Sequence, residues 1–146
     1  MIDNLKAISD SIDQICNFCF KNKKNGLGGL DTWEKMFRYV AFCLISGKVA
    51  IYWDSGEVKS VMFYWNDNIE NINKKYNNNE GQFQWDECKN GDSFFIGECI
   101  GDRRHISEIS KSLFEKYPHL ESIPFYTYRR GTLVGLNNKT IKRFMS

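Results

Sequence analysis

Residues 93 to 128 constrain the fold more than any other stretch. An apolar run, residues 93 to 100, precedes an amphipathic helix from about Arg103 to Tyr117, with Ile106, Ile109, Leu113, Phe114 and Tyr117 on its inward side. Pro118 closes that helix, and residues 122 to 128 read as a further strand. A strand, a helix and a strand in that order are expected to lie in one sheet as a parallel pair with a right-handed crossover. The class is therefore α/β. The first strand is expected to be buried on both faces, because it lacks a polar side. Arg129, Arg130 and Gly131 then turn the chain into a last strand, residues 132 to 136.

The residues upstream supply two helices and a meander. Leu5, Ile8, Ile12, Ile15 and Cys19 recur at three- and four-residue steps, which predicts an amphipathic helix over residues 4 to 21. A polar, glycine-rich loop follows, to Leu30. Asp31 then reads as the N-cap of a second helix, with Glu34 three residues on in a capping-box pattern. Its inward face is expected to be Trp33, Met36, Phe37, Val40, Ala41 and Leu44, and Gly47 ends it. Residues 48 to 53 and 57 to 65 are rich in β-branched and aromatic side chains. Asp54, Ser55 and Gly56 between them mark a hairpin. Residues 66 to 81 are polar, with Ile69, Ile72 and Tyr76 spaced for a short helix. Residues 83 to 85 read as a brief strand, 89 to 92 as a turn, and 139 to 145 as a short terminal helix. No repeat or linker divides the chain, so residues 1 to 146 are expected to form a single domain.

Composition narrows the function. A hydrophobic fraction of 42% with 15% aromatics supports a packed core rather than a disordered chain. A net charge of +2 gives no global basic footprint, so nucleic acid is not the expected partner. No apolar run reaches membrane-spanning length, and the acidic opening is unlike a secretory signal. The five cysteines are odd in number and irregularly spaced, which fits a reducing compartment such as the cytoplasm. Abundant Asn, Lys and Ile fit an AT-rich coding genome, that of a low-GC bacterium or its phage, and hence host cytoplasm or a virion.

Glu98 interrupts the apolar run at 93 to 100. A carboxylate there is suited to act as a general base toward an amine, or to pair with an arginine. Strand alternation places it on the face of Ile96 and Ile100, opposite Gly97 and Cys99. Arg103, Arg104 and His105 open the following helix, where backbone N–H groups attract anions although cations oppose the macrodipole. His105 is a candidate acid or base, while His119 reads as a loop residue. Arg129 and Arg130 sit at a hairpin tip. On the same rim as Arg103 and Arg104 they would form a patch for an acidic protein or an anionic cofactor. Cys16 and Cys19 have metal-like spacing but fall on the apolar face of the first helix with no second pair, so core packing is the expectation and no metal is assigned.

The segment from Phe94 through Gly101 and Asp102 to Lys116-Tyr117-Pro118 resembles the corresponding part of the GNAT-type acyltransferase fold. Within that group it is most similar to the toxin-activating lysine acyltransferases, in which an aromatic-Ile-acid segment leads into a helix ending in Lys-aromatic-Pro. The order of elements matches over roughly residues 47 to 136, the sequence itself over 91 to 118. The resemblance implies an acyl or acetyl group moved from coenzyme A or acyl carrier protein to an amine. It puts Glu98 near the family's catalytic aspartate, with Ile100, Gly101, Arg103 and Arg104 at the donor site. Two departures stand out. The family's catalytic histidine lies in the N-terminal region, whereas this chain's two histidines are His105 and His119. In the loop Gly101-Asp102-Arg103-Arg104-His105-Ile106-Ser107 the first glycine and the helix start of the GNAT phosphate loop are present, but its second and third small residues are not, and Asp102 would repel a phosphate. A non-catalytic binding or structural module on the same fold, such as a phage virion or accessory protein, is the alternative.

Overall fold

A computed structural model describes residues 2–22, 32–71, 91–129 and 132–136. Helices α1 (Ile2–Asn22) and α2 (Trp33–Ser46) come first. An antiparallel meander follows, of β1 (Val49–Asp54), β2 (Glu57–Asp67) and β3 (Ser93–Gly101). Helix α3 (Arg103–Lys116) and a 3-10 turn (Pro118–Ser122) lead to β4 (Phe125–Arg129) and β5 (Thr132–Leu136). The five strands form one mixed sheet in sequence order, with β3 in the centre and β3–β4 the parallel pair. The fold is thus α/β, with two N-terminal helices, a meander and a strand–helix–strand unit. The expected segments at 23 to 30, 83 to 85 and 139 to 145, most of that at 66 to 81, and residues Arg130 and Gly131, lie outside the described residues.

Alternation along β2 sets up two cores. Val61, Phe63 and Trp65 point to α1 and α2, where they meet Ile15, Cys16, Cys19, Met36 and Val40. Met62 and Tyr64 point the other way, to Ile106, Ile109 and Leu113 of α3 and to Phe94, Leu120 and Phe125. Burying a side chain of this size contributes about 1.5–3 kcal/mol, which is why residues 61 to 65 of β2 are aliphatic or aromatic without a break. Cys16 and Cys19 are fully buried in the first core, the position their helical spacing predicts.

Helix α2 differs from the sequence expectation at its start and in its rotation. Its N-cap is Thr32, whose Oγ1 accepts from Lys35 N at 3.3 Å. Glu34 lies in the first turn and pairs with Arg38 at 2.9 Å; Asp31, the expected N-cap, lies outside the described residues. The buried row is Met36, Tyr39, Val40 and Cys43, joined by Phe42. Phe37, Ala41 and Leu44 are only partly buried, and Trp33 is 43% exposed. The cause is β2: Tyr39 lies between Phe63 and Trp65, with ring centroids at 5.2 and 5.9 Å, and this contact turns the helix about its axis. Gly47 ends α2 with φ +70°, as its position predicts.

Two strand readings also change. Ser122 belongs to the 3-10 turn, and β4 begins only at Phe125, after Pro124, which has no N–H to give a ladder. Strand β3 is buried on both faces only in its first part, Ser93 to Phe95; Gly97 and Glu98 are partly exposed and Cys99 is exposed.

Burial has a measurable consequence at high pH. Burial pushes the thiols of Cys16 and Cys19 up to about 12, from an ordinary value of 9.0. The Tyr64 phenol is likewise pushed to about 12 from 10.0. Above pH 9 the unfolded chain releases protons that the folded chain retains, so stability falls as pH rises from there toward 12. Urea midpoints are expected to be equal at pH 7 and 8 and clearly lower near pH 10.5. A flat profile across that range would contradict this burial.

Candidate functional site

The site begins with an extra residue in β3. Across β2 and β3, Phe63 faces Glu98 while Tyr64 faces Ile96, so Gly97 is a bulge. A glycine is required there, because a Cβ at Gly97 would come within 2.6 Å of the Trp65 ring. The bulge shifts the alternation. Before it, Phe94 and Ile96 face α3 and Phe95 faces α1 and α2. After it, Ile100 faces α1 and α2, and Glu98, opposite Phe63, shares that side, whereas Cys99, opposite Met62, faces α3. The simple alternation that groups Glu98 with Ile96 therefore does not hold.

The parallel ladder ends at the same point. β3 and β4 pair only at Phe94–Phe125, Phe95–Tyr126 and Ile96–Thr127, where Thr127 Oγ1 donates to Ile96 O at 3.0 Å. Both strands continue, to Gly101 and Arg129, without further pairing. A bulge bends its strand and raises its twist, which accounts for the parting of β3 from β4 just beyond Gly97.

A cavity of about 410 Å³ lies under this gap, against α3. Its floor is apolar: Met62, Phe94, Ile106, Leu113, Phe114, Phe125 and Leu136. Gly97, Cys99, Gly101, Thr127 and Arg103 also line it. Phe114 stacks on Phe125 at 5.5 Å, and Phe94 meets Phe125 at 4.9 Å, so the floor is held by a ring cluster. The volume and lining suit an aliphatic or small aromatic group with one anionic end.

Gly101 joins β3 to α3 with φ +128°. A Cβ there would lie 2.1 Å from Ser60 Oγ and 2.6 Å from Lys59 O. Asp102 follows as N-cap, its carboxylate accepting from Arg104 N at 2.8 Å and pairing with Arg104 Nε at 3.5 Å. The backbone N–H of Arg104, with the guanidinium nearby, holds the Asp102 carboxyl below its ordinary range. Asp102 thus offsets the cations at this helix start, and Arg104 is turned to it. Arg103 has no ion pair among the described residues and lines the cavity.

The site residues expected from the sequence fall into three places. Gly101 and Arg103 line the cavity. Glu98 and the fully covered Ile100 lie across the sheet from it, beside the gap. His105 stacks flat on Tyr52 of β1, at 4.5 Å and 14°, in a separate recess on the far side of α3. The side chains of His119 and Arg129, and all of Arg130, lie outside the described residues. Cys99, Ser110 and Thr127 line the cavity and were not singled out by pattern. Among the described residues, no three His, Cys, Asp or Glu side chains cluster as a metal site, and no helix is long and apolar enough to cross a membrane. No protein-family model matches this sequence, and no curated protein matches it.

Proposed function

We propose that this domain is a GNAT-like acyltransferase that moves an acyl or acetyl group from a pantetheine thioester to an amine. The observation that carries the reading is the gap between β3 and β4, which opens beyond Ile96 and Thr127 onto an apolar cavity with Arg103 at its rim. In this reading the acyl group lies on the apolar floor. Arg103 at the rim meets the phosphate of coenzyme A or the acidic surface of an acyl carrier protein, whereas Arg104, expected at the donor site, is turned to Asp102 and lines the recess on the far side of α3. The gap has two sides, and the acceptor amine approaches from the side of Glu98. The amine nitrogen attacks the thioester carbonyl, Glu98 takes the amine proton, and the C–S bond breaks to release the thiol after proton return. Gly101 lets the chain pass from β3 to the helix start while lying close against Ser60 and Lys59 of β2. The host cytoplasm is the compartment that fits such a donor.

Filling the cavity tests the donor site without touching Glu98. Ser110 lines the cavity, and its hydroxyl is bonded only within the helix, to Ile106 O at 2.9 Å. Ser110→Phe is expected to weaken binding of an acyl-coenzyme A or acyl carrier protein, read by calorimetry, by roughly tenfold or more, about 1.4 kcal/mol. Unchanged binding of both donors would remove the cavity from the reading.

The second reading is a non-catalytic module, for instance a phage virion or accessory protein. One observation favours it: among the described residues, the cavity lining contains neither a carboxylate nor an imidazole. Binding without any transfer from either donor would leave this reading in place.

A further inference from the structure

A second feature, remote from the cavity, concerns the opposite edge of the sheet. Among the described strands, β1 lies at the edge of the sheet and pairs only with β2. Lys48 O accepts from Tyr64 N at 3.0 Å, so Lys48 and Tyr64 are a hydrogen-bonded pair. Counting in twos, Ala50 opposite Met62 and Tyr52 opposite Ser60 also turn their backbone groups toward β2. Val49 and Ile51 therefore turn their N–H and C=O groups to the open edge, and no described strand takes them.

Beside that edge runs a groove walled by α3. One part, of about 300 Å³, includes Val49, Ile51, Ile109 and Lys116. The other, of about 390 Å³, includes Arg104, His105, Ser107 and Lys111. Tyr52 and Glu108 belong to both, so the two parts are continuous. Three cations line the groove, Arg104, Lys111 and Lys116; Lys111 is 3.5 Å from Glu108, the one carboxylate among the described lining residues, and Arg104 is 3.5 Å from Asp102 just outside it. Ser107 Oγ and His105 Nδ1, at its Arg104 end, are buried and lack hydrogen-bond partners. A strand edge with free backbone groups, a cationic wall and unsatisfied polar atoms are complementary to one kind of occupant.

We infer that β1 and the adjoining face of α3 accept an extended acidic peptide from a partner protein, added to the sheet as a further strand. Backbone pairing with Val49 and Ile51 fixes its register. Its carboxylates face Arg104, Lys111 and Lys116, and its apolar side covers the groove floor. Glutamate at alternate positions meets this geometry, because alternate side chains of an added strand share one face. This inference is independent of acyl transfer, since it uses neither Glu98 nor the cavity.

The test uses the full chain and two labelled probe peptides of about eight residues, the length of an ordinary strand. One alternates glutamate with threonine and the other lysine with threonine. The glutamate peptide is expected to bind at least roughly tenfold more tightly than the lysine peptide, with affinity falling as salt rises. Amide hydrogen exchange at Val49 and Ile51 is expected to slow on binding. Ile51→Pro removes an outward N–H that β2 does not use, and should abolish binding and the slowing at Val49. Should that variant not fold, the exposed double charge reversal Lys111→Glu/Lys116→Glu serves instead and should invert the preference between the peptides. Equal binding of the two peptides would overturn the inference, as would acidic-peptide binding without slower exchange at Val49 and Ile51. Slowing of the same amides with protein concentration alone would also overturn it, by showing that a second copy of this chain takes the edge.

Discussion

Replacing Glu98 by Gln is expected to reduce acyl transfer by roughly two to four orders of magnitude, the range for losing a general base. The substitution keeps volume and shape. It removes only the ability to accept a proton from the attacking amine, so kcat should fall while donor binding at the cavity stays unchanged. Stability should change little, since Glu98 is only partly buried and glutamine retains hydrogen-bonding capacity. The measurement is transfer from acyl-coenzyme A and from acyl carrier protein to a primary amine, with both variants, across pH. Activity that survives undiminished would remove Glu98 as the base. Rescue at high pH, where the amine is already deprotonated, would support the role assigned to it. The prediction is demanding because Glu98 and the cavity lie on opposite sides of β3. They meet only where β4 has parted from it, so the reacting carbonyl must sit within the gap itself.

The second large effect concerns folding. Gly101→Ala is expected to destabilise the protein by about 3 kcal/mol or more, because a positive φ is combined with a close backbone contact. For a chain of this size that lowers Tm by about 10 °C. Gly47→Ala is the internal comparison. Gly47 also has a positive φ, +70°, but a Cβ there meets nothing within 4 Å. Its cost should stay near 1 kcal/mol, the conformational part alone. At Gly101 the added carbon meets Ser60 Oγ, Lys59 O and Ser60 Cα within 2.8 Å. Ser60→Gly in the same chain removes the hydroxyl but leaves Lys59 O, so it should restore only part of the loss. Equal costs at Gly47 and Gly101 in thermal or urea unfolding would show that the contact is not felt.

The strand–helix–strand unit and the hairpin are legible because they rest on local periodicity. The switch from an apolar run to a 3.6-residue repeat at Arg103, and the Asp54-Ser55-Gly56 turn, each depend on near neighbours in the chain. Gly101 and Arg103 are legible for the same reason, since they stand at a strand-to-helix junction. Other features depend on residues distant in sequence. The rotation of α2 comes from Phe63 and Trp65 closing on Tyr39. The cavity wall needs Thr127 and Leu136 brought beside Cys99, which no spacing announces. The Gly97 bulge had a signal, a glycine inside an apolar strand, which marks bulges and close backbone approaches. Taken at face value, that glycine would have separated Glu98 from Ile96. The bulge is the one residue that decides which side of the sheet the carboxylate occupies.

The order of the strands also bears on how the chain is made. Synthesis proceeds from the N-terminus, so α1 and α2 already exist when β2 emerges and can cover Val61, Phe63 and Trp65 at once. The other face of the same strands waits. Met62, Tyr64 and Phe94 are covered by α3, the 3-10 turn and β4, all of which come later in the chain. At roughly 5–20 residues per second, these three side chains stay bare for a few seconds on the ribosome. A half-built chain of this kind presents an apolar sheet face to chaperones and to its own copies, and α3 is the element whose arrival ends that exposure.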